Sequence, residues 1–547
     1  ARPRDASLVA QARCLLSSAL EMRGRYRESL EAVEPYETPE SRAGLDAEAA
    51  ACLRVQIGLA YNYTGDHPKA IALLNAALQH ETAEGNSDAR LGAIYAALSR
   101  VYRSITEYTI ARDHANAALE HYRRTGDWRG MAEAYLGIAL ADTQVGDYET
   151  ALNNFDQAAK LVGDHPAPYL LGKIYNNMAG ACWFLKRPHD GIRYLEKAVS
   201  YYERTEHKVS AANGYNNLGI NLILVGKWDR AHEALKRALA LAFEVDEHGA
   251  QVPMILDSLG ELRMLRGDFE EAQDYLERAV KLATDNGNKW YAGQAMRTLG
   301  RCHLAMNNAA SALIKSEGAL ALAERIGDRQ AICESSLLLA EAYLLEGNTE
   351  ECAALLQKVL AETAESETDL AVAGETQRLY GMLALARDDA TLAANHFGRC
   401  ISIFEMLGDV YRTARSHYWL GRAYAASFPE RADEHFNLAA NAFSELGARV
   451  ELTRAEEALA DLSRTSAEQR NEPSALAQLL TMRLAEAVAS RELLLRELAA
   501  VIHQETHASR VLITEADEGG GPRVVVAHGC TNEEGVRLAT ALDTAKT

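Results

Sequence analysis

Two stretches forty residues apart carry the side chains best suited to holding another chain, Tyr175-Asn176-Asn177-Met178-Ala179-Gly180 and Tyr215-Asn216-Asn217-Leu218-Gly219-Ile220. An Asn amide offers a donor and an acceptor, so it can pair with an extended backbone whatever that backbone's side chains are. Lys or Arg beside it could hold a carboxylate. Metal chemistry has one candidate, His503 and His507, at i and i+4 in the run HQETH. The Glu between them is misplaced for a zinc-protease helix and no third ligand follows, so no metal is expected. The glycine run Gly519-Gly520-Gly521 lacks the ending of a phosphate loop. With no nucleophile triad, paired-carboxylate motif or dinucleotide fingerprint, neither an enzyme active site nor a cofactor is expected within these residues.

The elements that position such residues must come from 547 residues, too many for one compact core and enough for several domains or one repeat array. Lys plus Arg number 57 and Asp plus Glu 77, a formal charge of −20. So acidic a surface disfavours sequence-independent nucleic-acid binding, which depends on neutralised phosphates. The eight cysteines are scattered through apolar stretches with no CxxC pair, which fits reduced thiols packed as small hydrophobes in a cytoplasmic protein. No apolar run approaches the ~20 residues of a membrane helix, and no signal peptide opens the chain. The chain begins at Ala1, without Met, and reads as a fragment of a longer protein.

The repeated Asn pair belongs to a longer repetition. Stepping both ways from Gly219 at intervals of 40 or 41 gives Ser17, Gly58, Ser99, Ala139, Ala179, Gly219, Gly260, Gly300, Ala340, Gly381 and Gly421, all small. A second column, twelve residues on, holds Ser29, Ala70, Ala111, Ala151, Gly191, Ala231, Ala272, Ala312, Cys352 and Ala393, slipping by one at Ala432. A third, nineteen on, holds Ala77, Ala118, Ala158, Ala198, Ala238, Ala279, Ala319 and Ala440. Helices approach closely only where crossing points carry little side chain, and such pairs must stack on neighbours to bury their apolar faces. Gly85, Gly126, Gly287, Gly327 and Gly408, each followed by Asp or Asn, fall where a left-handed helix end is expected.

On these columns, and on the turns Gly146-Asp147-Tyr148 with Ala151 and Gly267-Asp268-Phe269 with Ala272, residues 8 to 462 resemble the tetratricopeptide repeat family. The family's common period is about 34 residues, so each helix here is about a turn longer. Long repeats of this kind resemble those of kinesin light chains, bacterial quorum-peptide receptors and large bacterial transcription regulators. The resemblance implies an all-α, right-handed superhelical solenoid of about eleven helix pairs over residues 1–462, including a terminal capping helix at 444–462. It also implies that the first helix of each pair lines a concave groove. The groove positions then hold Lys173, Asn176 and Asn177, then Asn213, Asn216 and Asn217, then Asp257 and Glu261, then Arg297 and Arg301. Their expected ligand is a protein or peptide segment, from a partner or from a domain of the same protein.

Beyond the array, residues 463–474 read as a polar linker containing Pro473, and 475–506 as a long helix with Leu480, Leu484, Ala487, Leu494, Leu498 and Val501 at spacings suited to a coiled-coil homodimer. The β-branched runs at 510–516 and 523–529 predict a hairpin. With residues 507–547 as a small α+β segment, this end resembles the beginning of a GAF sensor domain. The order of parts suggests the sensing scaffold of a bacterial signal-transduction or transcription regulator, with its effector outside these residues. The alternative is the regulatory region of an enzyme, a kinase or nucleotide cyclase, whose catalytic domain lies elsewhere.

Overall fold

The computed structural model describes residues 3–22, 24–84, 87–163, 165–364, 369–468, 495, 499, 509–516, 522–529, 531 and 534–537. They contain 23 α-helices, eleven consecutive pairs and one terminal helix, followed by two strands. Contacts divide the chain into two compact units, Ala1–Gly214 and Tyr215–Thr547.

Short connections make the pairs. The helix Tyr108–Thr125 ends on Gly126, left-handed at φ 69°, and Asp127 then opens the next helix by accepting from Arg129 N and Gly130 N at 3.0 and 3.1 Å. Gly408 and Asp409 repeat the device, with φ 68° and a bond from Arg412 N. Glycine supplies the left-handed residue without a Cβ clash and Asp satisfies an orphan amide. The expected helix end at Gly85 lies outside the described residues.

The small columns are the contact lines within each pair. A Cβ built on Gly219 would lie 2.5 Å from Leu235 Cγ, and one on Gly260 2.5 Å from Leu276 Cγ. A bulky residue sixteen places on, in the second helix, thus fills the slot left by the small residue of the first. The twelve- and nineteen-residue columns are buried along the second helices. In the last pair the buried residues are Ala432 and Ala439; Ala440, the expected one, is turned partly outward because the register slip persists through that helix.

The first unit begins irregularly, with a second helix of only eight residues, Tyr26–Val33, followed by two 3-10 turns. In the second unit the final helices return to its earlier turns. Trp228 packs against Tyr411 with ring centroids 5.9 Å apart, and a Cβ on Gly226 would meet Leu446 Cδ2 at 2.7 Å. Arg449 pairs with Asp268 and donates to Arg266 O at 3.3 Å, while Arg454 donates to Ala305 O at 3.2 Å.

The end of the array differs from expectation. Gly447, at φ 74°, stops the helix Pro429–Leu446, so the terminal helix is Arg449–Glu468 rather than 444–462. It continues past 463 into the expected linker, with Ser463 Oγ satisfied by Leu459 O at 2.9 Å. Pro473 and nearly all of 475–506 lie outside the described residues. Strands β1 (Val511–Ala516) and β2 (Pro522–His528) pair antiparallel, with an irregularity between Ile513 and Thr514. Ala499, Val511 and Val526 form a small buried cluster there.

Candidate functional site

In the first unit the first helices of successive pairs turn their charged residues toward one another. Glu21, Arg100, Glu133 and Lys173, from four such helices, act on each other electrostatically. This is the face that the resemblance implies to be concave. Lys173 is open to solvent, yet its walls and the guanidinium groups of Arg100 and Arg103 push its amine down to about 8. Burial and Arg100 likewise lower Arg103. Burial works against the charge of Arg100 too, but Tyr63, Glu133 and Glu21 outweigh it. Among the described residues neither Arg103 nor Lys173 has a carboxylate at ion-pair distance, whereas Glu133 is 3.3 Å from Arg129. Glu21 is pushed up to about 7 by burial, although Gln56 Nε2 donates to it at 2.6 Å.

Asn177, the central residue expected here, bonds back to its own helix, with Nδ2 donating to Lys173 O at 2.7 Å. Its Oδ1 and second N–H take no part in that bond. Asn176 on the same helix and Asn213 on the helix Lys208–Leu224 are half-buried.

In the second unit the expected residues are placed differently. Asn216 is fully buried, and Asp257 and Arg297 are 7% and 5% exposed, so none of the three lines an open groove. Asp257 and Arg297 lie instead against the next first helix, Asp257 beside Thr298 and Arg301 and Arg297 on Glu334. Asn217, Glu261 and Arg301 are half-buried, and Asn217 O accepts from Asn221 Nδ2 at 2.9 Å. Arg297 and Arg301 already hold carboxylates of this chain, Glu334 at 3.0 Å and Glu261 at 3.6 Å. The ladder continues with Arg378 between Glu341 and Glu375, and with Arg412 and Arg415 on Glu375. Burial alone would raise the Glu375 carboxyl; the three guanidinium groups overcome it and hold it well below the usual range. At Asp257 burial and Glu261 outweigh Arg301 and the bonds from Thr298 and Gln294, and push the carboxyl up to about 6.

Glu21, Arg100, Arg103 and Glu133 of this cluster went unnoticed in the sequence. Arg100 stands one place after Ser99, as Glu261 does after Gly260 and Arg301 after Gly300, and Arg103 stands four places after Ser99, one helical turn further on the same face. Reading those positions in every repeat would have found both arginines. The histidines His503 and His507 lie outside the described residues, and among the described residues no group of three or more potential metal ligands occurs.

Known proteins share parts of this chain's sequence and fold. Residues 49–124, 170–242 and 251–325 match the tetratricopeptide repeat model. The outer dynein arm-docking complex subunit 4 of Danio rerio is 22% identical over 206 residues, covering 35% of this chain; the chain spans 42% of that curated relative. Similar solved structures include the apo form of the quorum sensor NprR from B. thuringiensis (14% identity, 58% of this chain and 88% of that one, TM-score 0.46). Aspartyl phosphate phosphatase F from Bacillus subtilis is also 14% identical (67% and 97% covered, TM-score 0.46). A Rap protein complexed with competence and sporulation factor shares 14% identity (77% and 99% covered, TM-score 0.40). Residues 49–124, 170–242 and 251–325 are thus similar to tetratricopeptide repeats, the Asn repeat lies within the second of these segments, and the same paired helices with small residues at their crossings run through all eleven pairs.

Proposed function

We propose that the concave face of the first unit binds an extended, acidic protein segment. The observation that carries this reading is the convergence of Arg100, Arg103 and Lys173 on one face of a chain whose net charge is −20. Like charges held together in a partly desolvated groove oppose one another, and an anionic ligand relieves the opposition. A carboxylate between Lys173 and Arg103 gains charge-assisted bonds, while Asn177 Oδ1 accepts from the ligand backbone. In the second unit Arg297, Arg301, Arg378, Arg412 and Arg415 are matched internally and make no comparable demand.

On this reading the array is the sensing part of a signal-transduction or transcription regulator. The hairpin of β1 and β2 then opens a GAF-like sensor segment, and the effector lies in another part of the protein. The test is fluorescence anisotropy with labelled glutamate-rich peptides and neutral peptides of equal length. Acidic peptides should bind at least tenfold more tightly, and the preference should weaken with salt. Equal affinity for both sets would remove the proposal.

A further inference from the structure

One face of the helix Pro3–Met22 is apolar and open. Leu8, Val9, Leu15, Leu16 and Met22 are between 52% and 73% exposed, and Ala12 is exposed at the middle of the stripe they form. The two charged side chains between Leu8 and Met22 are directed away from it: Arg13 donates to Ala32 O at 3.1 Å, and Glu21 accepts from Gln56 Nε2 at 2.6 Å. Monomeric proteins rarely show so continuous an apolar face unless something covers it.

The following repeats of the same unit show what chemistry covers these positions. Leu16 stands one place before the small residue Ser17; Ile57, Leu98, Ile138 and Met178, one place before the next four small residues, are 5% exposed or less. Ala12, five places before Ser17, corresponds to Leu53, Ile94, Ala134 and Ile174, all buried. Such positions pack on the second helix of the preceding pair, as Ala134 and Ile138 cluster with Ala115, Ala118 and Tyr122 of Tyr108–Thr125. The stripe on Pro3–Met22 is therefore built to receive a helix. The terminal helix of the second unit, Arg449–Glu468, differs, exposing Arg454, Glu456, Glu457 and Asp461 as the solvated end of a repeat array does.

We propose that this stripe is an interface between two copies of the chain, with the helices Pro3–Met22 packed antiparallel about a two-fold axis at Ala12. The stripe itself argues for a second copy, because it reads nearly the same in both directions from Ala12. Leu8 and Leu16 stand four places to either side, and Val9 and Leu15 three. An antiparallel copy thus sets Leu8 beside Leu16 of the other chain and Val9 beside Leu15, while Ala12 on Ala12 lets the backbones approach at the crossing. A two-fold interface needs this self-complementarity, since one patch serves both sides. One helix face is smaller than the ~800 Å² per partner of a standard stable complex, so the association should be reversible. It does not depend on what the groove binds.

The experiment is sedimentation velocity on the full chain at about 1 to 100 μM, the range in which a small interface dissociates. The sedimenting species should pass from one chain to two as concentration rises. Leu15→Glu and Leu16→Glu, at positions exposed in the single chain, should each hold the protein at one chain throughout and leave the melting temperature of dilute protein nearly unchanged. Cross-linking reads the register. In a Cys52→Ser, Cys530→Ser background, Ala12→Cys should give a covalent dimer on oxidation with copper phenanthroline, whereas Asn116→Cys, exposed on another helix, should give none. A wild-type chain that stays single at every concentration, as it would if the stripe took a helix of a different protein, overturns the proposal. So does a dimer that survives both Glu variants, as one built on residues 475–506 would, or cross-linking as strong at Asn116→Cys as at Ala12→Cys.

Discussion

The two units carry charge on their groove helices in opposite ways. In the second, Arg297, Arg301, Arg378, Arg412 and Arg415 each meet a carboxylate from a helix of the same unit. In the first, Arg103 and Lys173 face Arg100 without one among the described residues. One repeat geometry can thus make a self-satisfied ladder or an unsatisfied cationic face, depending on which charges occupy the same positions. The difference teaches that groove position alone does not make a binding residue. The partner on the neighbouring helix decides.

The largest expected effect breaks the ladder. Glu375→Gln removes the carboxylate shared by Arg378, Arg412 and Arg415, leaving buried charge unmatched, and should destabilise the protein by about 3–5 kcal/mol in denaturant unfolding. The matching change in the first unit, Arg103→Gln, removes a half-buried charge with no carboxylate at ion-pair distance among the described residues, and should shift stability by no more than about 1 kcal/mol. Similar losses for both would erase the distinction between the units.

Asp257 offers a pH test of the same ladder. Its folded carboxyl is raised to about 6, so folding favours the protonated form. The resulting stability is fully present below the unfolded value and is lost as pH rises through about 6. Each tenfold change in proton affinity between the folded and unfolded chain is worth about 1.4 kcal/mol, so Asp257→Asn should stabilise by up to about 3 kcal/mol at pH 8 and do little at pH 3. Melting curves across that range decide the matter; a pH-independent effect would mean that packing, not charge, sets the change.

Next in size is the cationic face itself. Replacing Arg103 and Lys173 together by Ala should weaken acidic-peptide binding at least tenfold, about 1.4 kcal/mol, with melting temperature held or raised. Lys173 is charged below about 8, so wild-type affinity should climb as pH falls from 9 to 7 and the double variant should lose that slope. A slope that survives the substitution would place the titrating group elsewhere.

The smallest effect concerns the return contact of the second unit. Arg449→Ala removes an exposed pair with Asp268 and should cost less than about 1 kcal/mol. A loss of several kcal/mol would show that this contact holds the ladder in place.

Most of the fold was legible because helix packing writes itself at a fixed interval: Gly219 must stay small to receive Leu235 wherever the pair sits. Helix ends were legible for the same local reason, a left-handed glycine followed by Asp. The candidate site was legible only in part. Lys173 and Asn177 were found by position, and Arg100 and Arg103 obeyed the same rule. That Asn216 is buried, that Arg297 has Glu334 and that Asn177 spends its amide on Lys173 O could not be read, since each depends on which side chain the neighbouring helix presents.

The sequence by itself determined the period, the paired helices and the small residues at their crossings, because these follow from backbone geometry and volume within about forty residues. Only the tertiary structure decided which charges are neutralised. It set Glu375 among three arginines and left Arg103 and Lys173 beside Arg100. Electrostatic pairing depends on distances of a few ångströms between separate helices, and a repeat pattern that fixes the stacking does not fix the pairing of the side chains.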